Sequence, residues 1–204
     1  MAAVGRREFL KQGAAVTLTI GGAAYFSGMM ENQPLLAHPI LRPPGALTEE
    51  QFAATCIRCM RCVDACPNHA LESIPTSVGG NVAGTPTMQP RRAACMLCMG
   101  ADGDFLRCTS VCPSGALQLV RKDRDDIKAK VAIGIAELDF DLCYSYNNWT
   151  CGACYRACPF AGEAMLIGLY ERPRVNPDAC VGCGLCERAC IRYPHAVRVK
   201  ARHA

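Results

Sequence analysis

The sequence has little from which to build an ordinary core: aromatic residues make up 6% of 204 positions, with one Trp, six Phe and six Tyr. Aromatic side chains dominate the energetics of most cores, so something other than side-chain burial organises this chain. Histidine is scarce too, at four residues: His38, His69, His195 and His203. The formal charge of +4 is slight and dispersed, with no basic stripe interleaved with aromatics, which excludes a nucleic-acid-binding protein. No G-x-G-x-x-G follows a strand pattern and no P-loop is present, so neither a nucleotide nor a flavin site is indicated. The length suits one or two small domains and excludes a large multilayer enzyme.

What the chain has in abundance is cysteine, 16 residues, close to the ~8% at which cysteine becomes the scaffold. They fall into four groups. The first, Cys56, Cys59, Cys62 and Cys66 before Pro67, is the bacterial ferredoxin run C-x2-C-x2-C-x3-C-P. The second, Cys95, Cys98, Cys108 and Cys112 before Pro113, has nine residues in place of the middle two. The third, Cys143, Cys151, Cys154 and Cys158 before Pro159, has seven residues in place of the first two. The fourth, Cys180, Cys183, Cys186 and Cys190, is again compact, with Ile191 where the others have proline. No cysteine is left over. Zinc also accepts C-x2-C pairs, but it does not ask for three evenly spaced thiolates and a fourth before proline. A disulfide framework has no use for that pattern either. The spacing predicts four [4Fe–4S] clusters, which would lower the net charge by about 8, to roughly −4.

Three thiolates two residues apart let one tight loop wrap three corners of a cubane, while the fourth cysteine reaches a neighbouring cluster. The fold class expected is α+β: two dicluster ferredoxin-like modules with little regular structure outside short strands and helices. Groups one and four are compact and groups two and three carry insertions, so the expectation is nested pairing of like with like. The outer module then joins Cys56, Cys59 and Cys62 to Cys190, and Cys180, Cys183 and Cys186 to Cys66. The inner module joins Cys95, Cys98 and Cys108 to Cys158, and Cys143, Cys151 and Cys154 to Cys112. Sequential pairing, one with two and three with four, is the alternative. Residues 68–72 and 114–118 read as one-turn helices after the prolines, and the charged run 121–130 as a solvated connection.

Residues 1–37 read as an export signal. Arg6 and Arg7 with Phe9, Leu10 and Lys11 form a twin-arginine motif. The uncharged stretch 13–30 contains four glycines, which makes it poorly hydrophobic for a membrane helix. Ala37 is an acceptable cleavage point and Leu35 a poor partner for it, so cleaved and anchored forms both fit. Export of a folded, cluster-loaded protein reconciles many thiols with a periplasmic destination, where disulfides otherwise form. Residues 38–50, with Pro39, Pro43, Pro44 and Gly45, read as an extended tether, and 51–204 as the four-cluster domain.

Other residues carry weaker signals. Asp102 and Asp104 lie in a Gly-rich insertion without a nearby base and read as surface charge. Met60, Met96, Leu97 and Met99 stand beside ligands, where they would shield clusters from water. Arg58 and Arg61 either raise a cluster potential slightly or are simply solvated. The loop 144–150, with the single Trp149, is either a docking surface or a spacer packed on its own cluster.

The twin-arginine start and the string Leu41-Arg42-Pro43-Pro44-Gly45-Ala46 resemble the ferredoxin-type NapG family, as do the four cysteine groups. So do Gly84-Thr85-Pro86, Cys112-Pro113-Ser114-Gly115-Ala116-Leu117 and Cys154-Tyr155-Arg156-Ala157-Cys158-Pro159. The resemblance runs from the signal to about residue 199, with MauN-type proteins of methylamine oxidation as relatives. It implies a periplasmic electron-transfer protein without a substrate site of its own, serving nitrate respiration. Electrons would come from a membrane quinol dehydrogenase of NapH type and pass to a periplasmic reductase or its cytochrome. Two departures are Ile191 in place of proline and a chain that stops soon after group four, which puts the docking partner in question. A subunit of a molybdenum oxidoreductase and a maturation factor for methylamine dehydrogenase are the alternative functions.

Overall fold

Short elements separated by tight loops follow directly from the cysteine spacing, because every ligand loop interrupts the chain within a few residues. The structure, a computed structural model, describes residues 40–202; the twin-arginine segment, His38 and His203 lie outside them. Six helices are present among these residues: α1 (Glu49–Thr55), α2 (Arg61–Asp64), α3 (Arg107–Ser110), α4 (Arg124–Lys130), α5 (Ala153–Ala157) and α6 (Leu185–Ala189). Six strands, β1 (Leu71–Ser73), β2 (Pro86–Met88), β3 (Ile135–Leu138), β4 (Met165–Ile167), β5 (Pro173–Val175) and β6 (Val197–Lys200), form three antiparallel pairs, β1–β2, β3–β6 and β4–β5. The α+β expectation holds. No helix among the described residues is long and apolar enough to cross a membrane.

The pairs reveal a repeat. In the second half, β3 precedes the third cysteine group and pairs with β6 after the fourth (Ile135 opposite Lys200), while β4–β5 lies between the two groups. In the first half, Ala46 precedes group one and bridges Leu117 after group two, and β1–β2 lies between (Leu71 opposite Met88). Each half is therefore closed by a strand pair at its outer ends and filled by a hairpin between its two cysteine groups. The strands therefore join neighbouring cysteine groups, one with two and three with four, where nested pairing would join the outer groups to each other.

The tether is also corrected. Residues 41–45 are buried and hold no helix or strand, with a turn at Pro44 and Gly45 (φ 73°). Met88 N–H donates to Leu41 O (2.9 Å), Gln118 N–H to Gly45 O (2.7 Å) and Leu47 N–H to Ala116 O (3.2 Å). Pro43 and Pro44 lack an N–H and do not compete for these bonds, and Pro43 O accepts the Ala46 N–H (3.2 Å) that closes the turn. Arg42 is 7% exposed. Its guanidinium binds both Glu49 oxygens, donates to Thr85 Oγ1 (2.7 Å) and Pro86 O (3.0 Å), and stacks over Phe52 (4.7 Å). Glu49 opens α1, which begins inside the segment read as tether. An Arg42→Met exchange keeps the stem but leaves Thr85 and Glu49 without their donor. It should cost about 2 kcal/mol, seen as a lower denaturant midpoint of the iron-loaded protein under anaerobic conditions.

The charged run 121–130 is a solvated connection, with seven of its ten residues exposed, and it is helical. Asp123 caps α4, its carboxylate accepting from Asp126 N–H (2.8 Å). Asp125 and Asp126 occupy the first turn and Lys128 and Lys130 the last, the order the helix dipole favours. One residue in it, Ile127, is buried. Arg124 and Lys128 both pair with Glu163 and stand over Phe160, fixing the helix to the second half. Ile127, Val131 and Ile133 pack into one core with Leu106, Val120 and Val181, which joins the halves. A smaller core of Ala136, Met165, Val197, Cys154 and Cys186 lies under the second half.

Candidate iron–sulfur sites

Each cysteine group wraps in the same way. Its third cysteine sits within a short helix: Cys62 in α2, Cys108 in α3, Cys154 in α5 and Cys186 in α6. The fourth follows the helix: Cys158 and Cys190 are extended caps of α5 and α6. The expected helices at 68–72 and 114–118 are turns and strand instead. Proline after the fourth ligand disfavours a helical conformation at that ligand, so the helix must come before it. In the two compact groups the loop turns through left-handed residues on either side of the second cysteine. In group four these are Gly182 (φ 71°) and Gly184 (φ 84°). A Cβ on Gly184 would lie 2.5 Å from Pro90 Cβ, so glycine is needed there for close approach of the halves as well as for the turn. In group one the same two places hold Arg58 (φ 57°) and Met60 (φ 59°), which carry that strain with side chains. Arg58 is anchored by donating to Ala83 O (3.0 Å) and Asn81 O (3.1 Å).

The sixteen thiols are all free and gather in four sets. Cys56, Cys59, Cys62 and Cys112 line one cavity of about 330 Å³, mouth included. Cys66, Cys95, Cys98 and Cys108 line another of about 380 Å³. Cys143, Cys151, Cys154 and Cys190 line a third of about 330 Å³. The remaining four, Cys158, Cys180, Cys183 and Cys186, come together at α6: burial pushes the Cys186 thiol up, and the charges of Cys183, Cys180 and Cys158 push it further. The exchange of fourth cysteines is thus between neighbouring groups. Cys190 is with Cys143, Cys151 and Cys154, not with Cys56; Cys112 is with Cys56, Cys59 and Cys62; Cys158 and Cys66 likewise change places relative to the nested expectation. The hairpin between the two groups of each half explains this, because it returns the chain to the first group within a few dozen residues. Nested pairing would have had to close much longer loops.

The donor chemistry fits a cubane and not a single ion. A tetrahedral zinc site at about 2.3 Å per bond needs thiolates ~3.8 Å apart. Among the described residues no three Cys, His, Asp or Glu groups converge tightly enough to hold one ion. Burial drives the thiols up, Cys62 to about 11, Cys95 and Cys183 to about 12 and Cys154 to about 11. Such thiols ionise only beside compensating positive charge, which a cluster core provides. Backbone N–H groups already face sulfur: Ala70 donates to Cys66 Sγ (3.3 Å) and Arg107 to Cys98 Sγ (3.4 Å). At Cys112 burial again pushes the thiol up, but the Leu117 N–H, the Ser114 hydroxyl and the N–H groups of Ser114 and Gly115 outweigh it and leave it lowered.

Successive sets are neighbours. The charge of Cys62 is felt at Cys108, that of Cys183 at Cys95, and that of Cys154 at Cys186. Across the junction of the halves, Cys95 N–H donates to Cys183 O (2.9 Å). Arg91 reinforces the junction, its guanidinium donating to the carbonyls of Glu187, Arg188 and Cys190 at the end of α6 (3.0–3.3 Å). Nothing in the spacing of the cysteines pointed to Arg91. Cys59, in the first set, is the exposed thiol of the sixteen.

The other residues singled out fall outside these sets. Asp102 and Asp104 are exposed. His69 is exposed, and His195 Nδ1 bonds Arg192 O (2.6 Å). Leu97 is buried and Met96 lines the second cavity, whereas Met99 faces outward.

Two stretches match the 4Fe-4S dicluster domain, residues 55–116 and residues 135–191, each covering two adjacent cysteine groups. Fold and thiols together define a four-cluster ferredoxin: two dicluster domains in one chain, with four [4Fe–4S] clusters. The ferredoxin-type protein NapG of Escherichia coli K12 is 35% identical over 96% of this chain and 85% of its own. NapG of Haemophilus influenzae is 34% identical over 95% and 71%. The methylamine utilization ferredoxin-type protein MauM of Methylophilus methylotrophus is 36% identical over 97% and 84%. The chain belongs to this NapG/MauM family of ferredoxin-type iron–sulfur proteins. The methylamine relatives carry the MauM designation, where the sequence resemblance had pointed to MauN.

Proposed function

We propose that the chain is a periplasmic electron relay in which each thiol set ligates the cluster it surrounds. It would take electrons from a membrane quinol dehydrogenase of NapH type and deliver them to a periplasmic reductase, nitrate reductase, or its cytochrome. The observation that carries this reading is the unbroken succession of four thiol sets, joined where the Cys95 backbone N–H donates to Cys183 O. Each cluster, when bound, supplies reversible one-electron transfer. The chain's own part is to hold the thiolates, turn N–H groups to sulfur and exclude water with Leu97, Phe52 and Leu106. A second reading has equal support from identity: the MauM relative is as similar as the NapG relatives, which favours a role in methylamine oxidation.

Deletion of the gene in its own host separates the two. Loss of quinol-dependent nitrate reduction with normal growth on methylamine supports the first; the reverse supports the second. Restoring the gene with Arg6 and Arg7 both changed to lysine should leave cluster-loaded protein in the cytoplasm and fail to restore the function, because the export receptor reads the paired guanidinium groups. Normal periplasmic levels of that variant would refute the export route.

A further inference from the structure

The last thiol set is surrounded by apolar side chains that the fold leaves in water. Among the described residues, eight of the twelve large exposed hydrophobic side chains belong to the second half. Leu169 (85% exposed), Tyr193 (83%), Tyr170 (72%), Trp149 (71%) and Ile191 (69%) are the most open of these. Ile191 lines the cavity of Cys143, Cys151, Cys154 and Cys190 itself, beside Arg192 and Tyr144. The others are tied to the same cavity wall. Trp149 N–H donates to Tyr144 O (3.1 Å), and Arg192 stacks on the Tyr144 ring (5.4 Å). Arg172 Nε donates to Ser145 O (3.3 Å), and Glu171 lies against Gly152, next to Cys151. The loop 144–150 thus packs on its own thiol set through Tyr144 and Ser145 and holds Trp149 out in solvent.

Two further observations say that this face is built for contact. First, Asn148, Tyr170 and Glu171 all hold φ between 54° and 67°, a conformation that costs free energy for residues with side chains. The strain is held by Arg156, which pairs with Glu171 (3.3 Å), and its effect is to push Leu169 and Tyr170 outward. Second, the charge is one-sided. Glu171 is spent on Arg156, and the Asp139 carboxylate is spent on the N–H groups of Asp141 and Leu142. Among the described residues Arg172, Arg174 and Arg192 have no carboxylate partner, against the two acids Asp139 and Asp141. Arg172 stacks on Tyr146 (5.5 Å) and Tyr170 (5.8 Å), and Arg174 flanks an open cleft lined by Leu138, Phe140 and Tyr146. Exposed Trp, Tyr and Arg together are the composition of interface hot spots.

We propose that this face is the docking surface for an acidic redox protein, with an apolar centre meeting Trp149, Leu169 and Tyr170 and carboxylates meeting the three free arginines. It rests on the electron-relay reading and makes the set at Cys190 the port through which that partner exchanges electrons. The partner's carboxylates would steer the encounter and the apolar centre would hold it, as in weak, fast redox complexes.

The test uses the full cluster-loaded chain, reduced with dithionite, and horse cytochrome c in two forms: native and basic, or succinylated and acidic. Each reduced cluster gives one electron and each ferric haem takes one. Succinylated cytochrome should bind more tightly and be reduced about 10-fold faster at low salt, the advantage fading as ionic strength rises. Trp149→Ser with Tyr170→Asn, asparagine tolerating the left-handed backbone, should lower both binding and rate about 10-fold. The Leu119→Ser change, at an exposed leucine outside this face, should alter neither, and reduction of ferricyanide should stay the same in all variants. Equal rates for the double variant and the parent would overturn the docking surface. So would binding of anionic phospholipid vesicles through Trp149 and Tyr170 with unchanged cytochrome rates, which would make the face a lipid contact. Failure of the parent to reduce ferricyanide would instead overturn the relay.

Discussion

A Cys112→Ser exchange is expected to remove the cluster whose other thiolates are Cys56, Cys59 and Cys62, and to spare the one at Cys95, Cys98 and Cys108. Iron should fall from about 16 to about 12 per chain, since each cubane holds four. Pairs of exchanges make the assignment decisive. Cys56 and Cys112 line one cavity, so the double variant Cys56→Ser with Cys112→Ser should lose no more iron than either single variant. Cys56 and Cys190 line different cavities, so Cys56→Ser with Cys190→Ser should lose about 8 iron per chain. Residues that act on one site are non-additive and residues on separate sites add. Nested exchange would reverse the two outcomes, and anaerobic iron and acid-labile sulfide analysis distinguishes them.

The ligands were legible in the sequence and their partners were not. Spacing fixes which cysteines share a loop, because the loop itself is only a few residues long. It says nothing about which fourth cysteine crosses to which loop, since that depends on how two loops are brought together. The compact form of groups one and four drew attention to the ends of the chain. The determining features were weaker: the three-residue strands β1 and β2, and the single bridge from Ala46 to Leu117. Strands that short barely register as a pattern of alternation.

The segment before α1 was misread for a related reason. Its prolines and glycine signal chain without regular structure, and residues 41–45 hold no helix or strand, but composition does not distinguish a solvated segment from one pressed into a core. Arg42 carries the difference. A buried guanidinium needs partners on every side, and Glu49, Thr85, Pro86 and Phe52 supply them. The run 121–130 is solvated as its charge suggests, but its helix went unread, although Asp123, the acidic first turn and the basic last turn are themselves helix signals. One buried side chain, Ile127, is enough to seat that helix.

Removing the clusters is expected to unfold the domain outright. No described helix exceeds seven residues and no strand exceeds four, lengths that are marginal at best without tertiary support. That support runs through the thiols: Cys62, Cys98, Cys108, Cys143, Cys154, Cys183 and Cys186 are all counted among the buried core. Once iron leaves, each set is left unfilled and ringed by thiols, and burial keeps those of Cys95 and Cys183 protonated, up to about 12. Nothing then offsets the lost thiolate–iron bonds, and the sparse aromatic core cannot hold six short helices around four voids. Anaerobic treatment with an iron chelator and a mild oxidant should therefore abolish the far-ultraviolet circular dichroism of the folded chain together with its visible cluster absorbance. The two losses should follow one time course, since metal binding and folding are a single equilibrium in such domains. Folded structure that persists after all iron is gone would mean that the strand pairs and the Arg42 strap hold the domain without the clusters.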